Sequence, residues 1–216
     1  MNFWQKTAII LTVLISASGV FIRFRNSLVW NPYWGYDGGA HLEYARTMTE
    51  NNELPKFEEN YAAWHEPLYY LLSVPFIQAL GGFSNALPRL PLISAFLGSA
   101  LFLASVIWSW RIAKNCWLTL TTAAVLAVLP PAIQVSMFYS NEVLAQLLIF
   151  LAIIYAASRK NPEDKTHAVV LGLLLGAALL TKLTAVLAVL AVFSGLSRDR
   201  SRGAALNRSR RELLFV

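Results

Sequence analysis

The chain has 216 residues, 56% of them hydrophobic and 14% charged, with 18 basic and 12 acidic side chains and a net charge of +6. A soluble domain carries roughly 25% charged residues, so this balance excludes an ordinary water-soluble fold and points to an integral membrane protein, with room for about six spans of about 20 residues. The basic residues gather beside apolar runs, which is a topology signal and argues against nucleic acid as a partner. One cysteine, Cys116, rules out an internal disulfide framework.

The first apolar run, Thr7 to Phe21, follows Lys6 as a signal-peptide core would, yet Arg23-Phe24-Arg25 stands in place of a small-residue cleavage site. It is read as a retained span over residues 3–22. An outer loop over residues 23–87 follows. Seven of the twelve acids (Asp37, Glu43, Glu50, Glu53, Glu58, Glu59, Glu66) and two of the three histidines (His41, His65) fall between Phe24 and Pro67. Within the loop, Ala40 to Thr49 reads as a helix. The stretch from Leu68 to Leu80 would rise only about 20 Å as a helix against a hydrocarbon core of about 30 Å, and it holds Pro75 and ends at Gly81-Gly82. It is expected to lie in the interface.

Five further spans are expected, over residues 88–113, 117–138, 141–158, 167–182 and 183–197, the last two joined by a turn near Thr181-Lys182-Leu183-Thr184. Charge bias supports this count. With a cytoplasmic N-terminus, Lys6, Arg111, Lys114, Arg159, Lys160, Lys165 and the six arginines from Arg198 to Arg211 all fall inside, twelve of the eighteen basic residues. Arg23, Arg25, Arg46, Lys56, Arg89 and Lys182 remain outside. Residues 198–216 form a basic cytoplasmic segment, and the closing Leu213-Leu214-Phe215-Val216 resembles the opening of another span, as expected of the N-terminal part of a longer protein.

Asp37 lies between Gly35 and Gly38-Gly39, where the backbone can turn tightly before the helical run. It reads both as an N-cap and as a general base for an incoming hydroxyl. His41 follows one helical turn later on the same face, and Glu43 and Tyr44 point elsewhere. His41, His65 and Glu66 are candidates for a divalent metal, although their spacing is no zinc signature. The aromatics at positions 30, 33, 34, 36, 61, 64, 69 and 70 read as an interface belt or a sugar-stacking surface. Arg89 and Lys182 suit either snorkelling to headgroups or a lipid-linked phosphate. Asn141 and Glu142 open a span as a cap or as functional groups. There is no phosphate-cradling Gly-rich loop, no Cys-His metal set and no Gly-x-Ser-x-Gly turn.

One short span, then Tyr36-Asp-Gly-Gly-Ala-His-Leu-Glu-Tyr-Ala45, Leu54-Pro55 and Glu66-Pro-Leu-Tyr-Tyr-Leu-Leu72, resembles the GT-C integral-membrane glycosyltransferases, in particular the bacterial aminoarabinose-transferase-like and protein O-mannosyltransferase-like branch. The resemblance continues through Arg89, Tyr139-Ser-Asn-Glu142 and Leu179-Leu-Thr-Lys-Leu-Thr184. It implies an all-α polytopic bundle with juxtamembrane helices in the first outer loop. The implied reaction is inverting transfer of a sugar from a polyprenyl-phosphate donor to an acceptor hydroxyl of a lipid, glycan or protein. The resemblance puts Asp37 in the catalytic position, Glu66 at a polar position near the donor and Arg89 and Lys182 near the phosphate; His41, His65, Tyr69, Asn141 and Glu142 are further candidate substrate contacts. The family's second acid often adjoins the first, whereas Gly38 stands there in this chain. The expected location is the bacterial cytoplasmic membrane, with the site facing outward. A transporter would instead show discontinuous helices and charges near span centres, for which Pro130-Pro131 and Gln134 are the hints. A non-catalytic assembly subunit would leave Asp37 and Lys182 dispensable.

Overall fold

The computed structural model describes residues 2–58, 60–158 and 165–195. Every regular element among them is helical. Helix α1 (Phe3–Val29) opens on a reciprocal cap in which Asn2 Oδ1 accepts from the Gln5 amide and Gln5 Oε1 accepts from the Asn2 amide. It is followed by α2 (Gly38–Glu50), a 3₁₀ turn (Tyr61–Trp64), α3 (Leu68–Ala79), a short α4 (Phe83–Ala86) and α5 (Pro91–Ala113). The second half comprises α6 (Cys116–Val128), α7 (Pro130–Gln134), α8 (Glu142–Ala157), α9 (Lys165–Leu179) and α10 (Leu183–Gly195).

Helices α1 and α5, 27 and 23 residues long, are long and apolar enough to cross a membrane. At 1.5 Å per residue they rise about 40 and 35 Å, more than a hydrocarbon core of about 30 Å. Five apolar helices, α3, α6, α8, α9 and α10, are shorter.

Two features depart from the sequence reading. Helix α1 does not stop at residue 22 but continues to Val29, which carries Arg23 and Arg25 into the helix. Arg23 is 1% exposed. Its Nη1 donates to Gly19 O at 2.9 Å, its Nη2 donates to Leu126 O at 3.0 Å, and the guanidinium lies 4.5 Å from the centre of the Phe102 ring. The second departure explains how Arg23 is accommodated. The run expected as one span over 117–138 breaks at Val128, because Pro130 has no N–H to give to the carbonyl four residues back. That carbonyl belongs to Leu126, and Arg23 supplies the missing donor. The chain restarts as α7 at an angle that sequence hydropathy does not reveal.

α1 packs against α5 and α6, α5 also against α6 and α8, and α8 against α9. Small residues make the close approaches: Ala8 and Gly19 on α1, Ala95 and Gly98 on α5, Ala123 and Ala127 on α6. A second layer packs α2 on α3 around Leu42, Tyr44, Tyr70, Ile77 and Phe83. Tyr44 and Tyr70 stack at 3.9 Å between ring centres. This layer sits on the end of the bundle where α7, α8 and the α9–α10 turn meet: Leu68 N donates to Leu180 O at 3.0 Å, and Asn141 Nδ2 donates to Thr181 O at 2.8 Å. Arg159, Lys160, Glu59 and the arginines from Arg198 onward lie outside the described residues.

Candidate functional site

Asp37 occupies the N-cap position of α2 with φ of 57°, in the left-handed region that an L residue enters at a cost. Its carbonyl accepts from the amides of Ala40 and His41, but its carboxylate makes no capping hydrogen bond. The capping role therefore does not consume the carboxylate. Instead hydrogen bonding to Asp37 pushes the exposed Tyr61 hydroxyl up to about 12.

Gly38, next to Asp37, has no room for any side chain. A Cβ there would lie 2.9 Å from the Tyr33 carbonyl oxygen. A second carboxylate reaches the site from another element. Asp37 shares the lining of a cavity of about 330 Å³ with Tyr36, His41, His65, Glu142 and Lys182, and its far wall is Pro131, Gln134, Val135, Phe138 and Ser140 from the broken α6–α7 segment.

His41, 4% exposed, sits one turn into α2, where its Nδ1 faces the Tyr70 hydroxyl at 2.5 Å. Its ring stacks on that of His65 at 5.0 Å between centres. Burial first, then the neighbouring His65 and, opposed by Asp37, the more distant Lys182, lower the His41 pKa to about 4. The His65 pKa is lowered as well, by burial and by Lys182, against the pull of Glu66, Asp37 and Glu142. Both imidazoles are therefore neutral near pH 7. Lys182, in the turn after α9, forms an ion pair with Glu142 at the start of α8. The turn is fixed by the Leu68 and Asn141 hydrogen bonds to Leu180 O and Thr181 O.

Compared with known proteins, the chain matches no family model, no curated protein and no solved structure.

Of the residues singled out from sequence, Asp37, His41, His65, Glu142 and Lys182 meet at this cavity. The others do not line it. Glu66 is half-buried beside His65 and Tyr44. Tyr69 is buried in the second layer, its hydroxyl 2.8 Å from Ser94 Oγ. Arg89 is exposed and donates to Asn85 O in its own turn. Asn141 is fully buried and anchors Thr181 without capping α8. Among the described residues no group of three or more His, Cys, Asp and Glu is arranged to hold a metal ion. The proposed His41, His65 and Glu66 set does not converge: the imidazoles stack face to face, and His41 Nδ1 is engaged by Tyr70.

Tyr36 is one of the aromatics that the sequence reading offered as a belt or stacking surface, whereas Gln134, Phe138 and Ser140 are wall residues that it did not assign to a substrate site. Pro130-Pro131 was the signal for them, since a helix broken there must turn its following residues toward another element. Tyr33, Trp34, Tyr36, Tyr61 and Trp64 are exposed, whereas Tyr69 and Tyr70 belong to the core. Only the former group is available to a membrane interface or a sugar.

Proposed function

We propose that this chain is a membrane-embedded glycosyltransferase that moves a sugar from a polyprenyl-phosphate donor to an acceptor hydroxyl, in a multi-pass bundle with its site at the outer face of the bacterial cytoplasmic membrane. The observation that carries the reading is the Asp37 carboxylate, held in a strained turn, free of capping, and facing a cavity that also holds a cation.

The chemistry fits that set. The acceptor oxygen attacks the anomeric carbon, its proton passes to the Asp37 carboxylate, and the bond from that carbon to the phosphate oxygen breaks with its electron pair leaving on the phosphate. Lys182 offsets the charge developing on the departing group. Neutral His41 and His65 leave Lys182 as the cation facing it among the cavity-lining groups. The donor's long tail stays in lipid, which places such chemistry at an interface. The multi-pass reading is supported by α5, which is internal in the chain and only 33% buried across its most apolar window, unlike the core helix of a soluble protein. The GT-C resemblance of the Tyr36–Ala45 segment supports the donor class.

A transporter is favoured by one observation, the broken α6–α7 helix beside the buried Arg23. The deciding experiment is an assay of membranes bearing the chain, supplied with radiolabelled polyprenyl-phosphate aminoarabinose or mannose. The expected result is movement of label from the donor to another molecule, lost in Asp37→Asn while donor binding persists. No transfer from either donor, or equal transfer by the variant, would overturn the proposal.

A further inference from the structure

A second cavity, of about 200 Å³, lies behind the wall of the first and shares Val135 with it. It is bounded by α1, α5, α6, α7 and α8, and its polar lining is Arg23, Ser105, Ser136 and Gln146. Gln146 is exposed in the second turn of α8, whose run from Val143 to Ile154 is otherwise apolar. An amide on a lipid-depth helix is costly unless it has a partner.

Arg23 has more to give than the fold uses. A guanidinium carries five N–H donors. The Gly19 and Leu126 carbonyls take two, while Nε is buried without a partner. No carboxylate among the described residues pairs with this charge. The negative end of α6 and the face of Phe102 offset part of it. The cavity has room for several waters at about 30 Å³ each, so its polar groups are not simply sealed in a packed core.

We infer that this cavity is an anion site that takes a phosphate oxyanion, with Arg23 as the charge and the Gln146 amide as a donor at its mouth. A guanidinium with unused N–H groups matches phosphate oxygens in geometry as well as charge. The phosphate is supplied either by a lipid entering beside α8 or by the aqueous phase. The inference does not depend on sugar transfer by the first cavity.

The test is native mass spectrometry of the full chain in a phosphate-free maltoside detergent, titrated separately with dihexanoyl phosphatidic acid and with inorganic phosphate. Wild type should retain one bound phosphate species per chain. Arg23→Met should weaken that binding at least about tenfold, the scale of one charge-assisted contact. Arg23→Lys keeps the charge and should restore part of it, and Gln146→Leu should weaken it without altering the fold. Binding of phosphatidic acid alone identifies a lipid source, and Arg23-dependent binding of inorganic phosphate as well identifies a soluble one. If wild type binds neither probe, or if Gln146→Leu and whichever Arg23 variant folds bind as wild type does, the site does not exist.

Discussion

His41 and His65 lie ring on ring, 5.0 Å apart and 19° from coplanar, with Tyr70 against the far edge of His41. Two stacked imidazoles cannot both be charged cheaply, and burial of His41 adds to the penalty. This makes the pair a proton-sensitive joint between α2 and the loop before α3.

The His41 pKa of about 4 in the folded state lies below its unfolded value of 6.5. Between these values the unfolded chain binds the additional proton, so stability falls as pH falls. The loss for His41 is about 3 kcal/mol between pH 7 and pH 4. Thermal unfolding in detergent should show the midpoint dropping through this window in wild type and a flatter profile for His41→Gln. Parallel profiles would mean that His41 is solvated in the folded protein.

The Lys182–Glu142 pair should matter little to stability and much to the donor. Its side chains are 22% and 42% exposed, so removing either partner should cost under about 1 kcal/mol of folding stability. Lys182→Met should weaken binding of a polyprenyl-phosphate sugar at least about tenfold, whereas Glu142→Gln releases Lys182 and should not weaken it. Equal losses in both variants would make the pair a structural strut.

Asp37 separates stability from activity in one substitution. Glycine at this position relieves the left-handed backbone, so Asp37→Gly should melt no lower than wild type and up to about 1 kcal/mol more stable. Transfer should nonetheless drop by about 10²-fold or more, the scale of a general base. A lower melting temperature would show that the carboxylate holds the turn.

Close packing of α1 is tested at Gly19. A Cβ there would approach the Phe102 ring to 2.8 Å and the Ala127 methyl to 3.1 Å, and the ring is pinned beneath Arg23. Gly19→Val should cost about 1–3 kcal/mol. Gly176→Ala on α9, with nothing within 4 Å of the added carbon, should be neutral within about 1 kcal/mol. Both are read from denaturant unfolding in mixed micelles.

The sequence made the helical segments legible because long apolar runs between Gly, Pro and charged breaks have few other solutions. Asp37 and His41 were legible as a pair because the helical repeat fixes residues four apart on one face. Glu142 and Lys182 were legible as groups at helix ends, but their convergence with Asp37 depends on the turns around Asn141 and Leu180, held by contacts distant in sequence. Tyr69 and Arg89 show the opposite case. Their residue types suit a site, but which face of a short helix meets the cavity is decided by packing against Ser94 and by local bonding to Asn85. Arg23 was read as the end of a span because local hydropathy counts charge and does not register a carbonyl orphaned by a distant proline.

The hydrogen bond from Leu68 to Leu180, with that from Asn141 to Thr181, means that an early-made and a late-made stretch of chain hold the same turn. Asp37 leaves the ribosome long before Lys182 does. Until α9 has been inserted, the growing polypeptide holds an acidic pocket without its cation. The Asp37 cavity therefore gains its full set of charged lining groups only when most of the described chain has been made, so any transfer of the proposed kind would have to wait for that point.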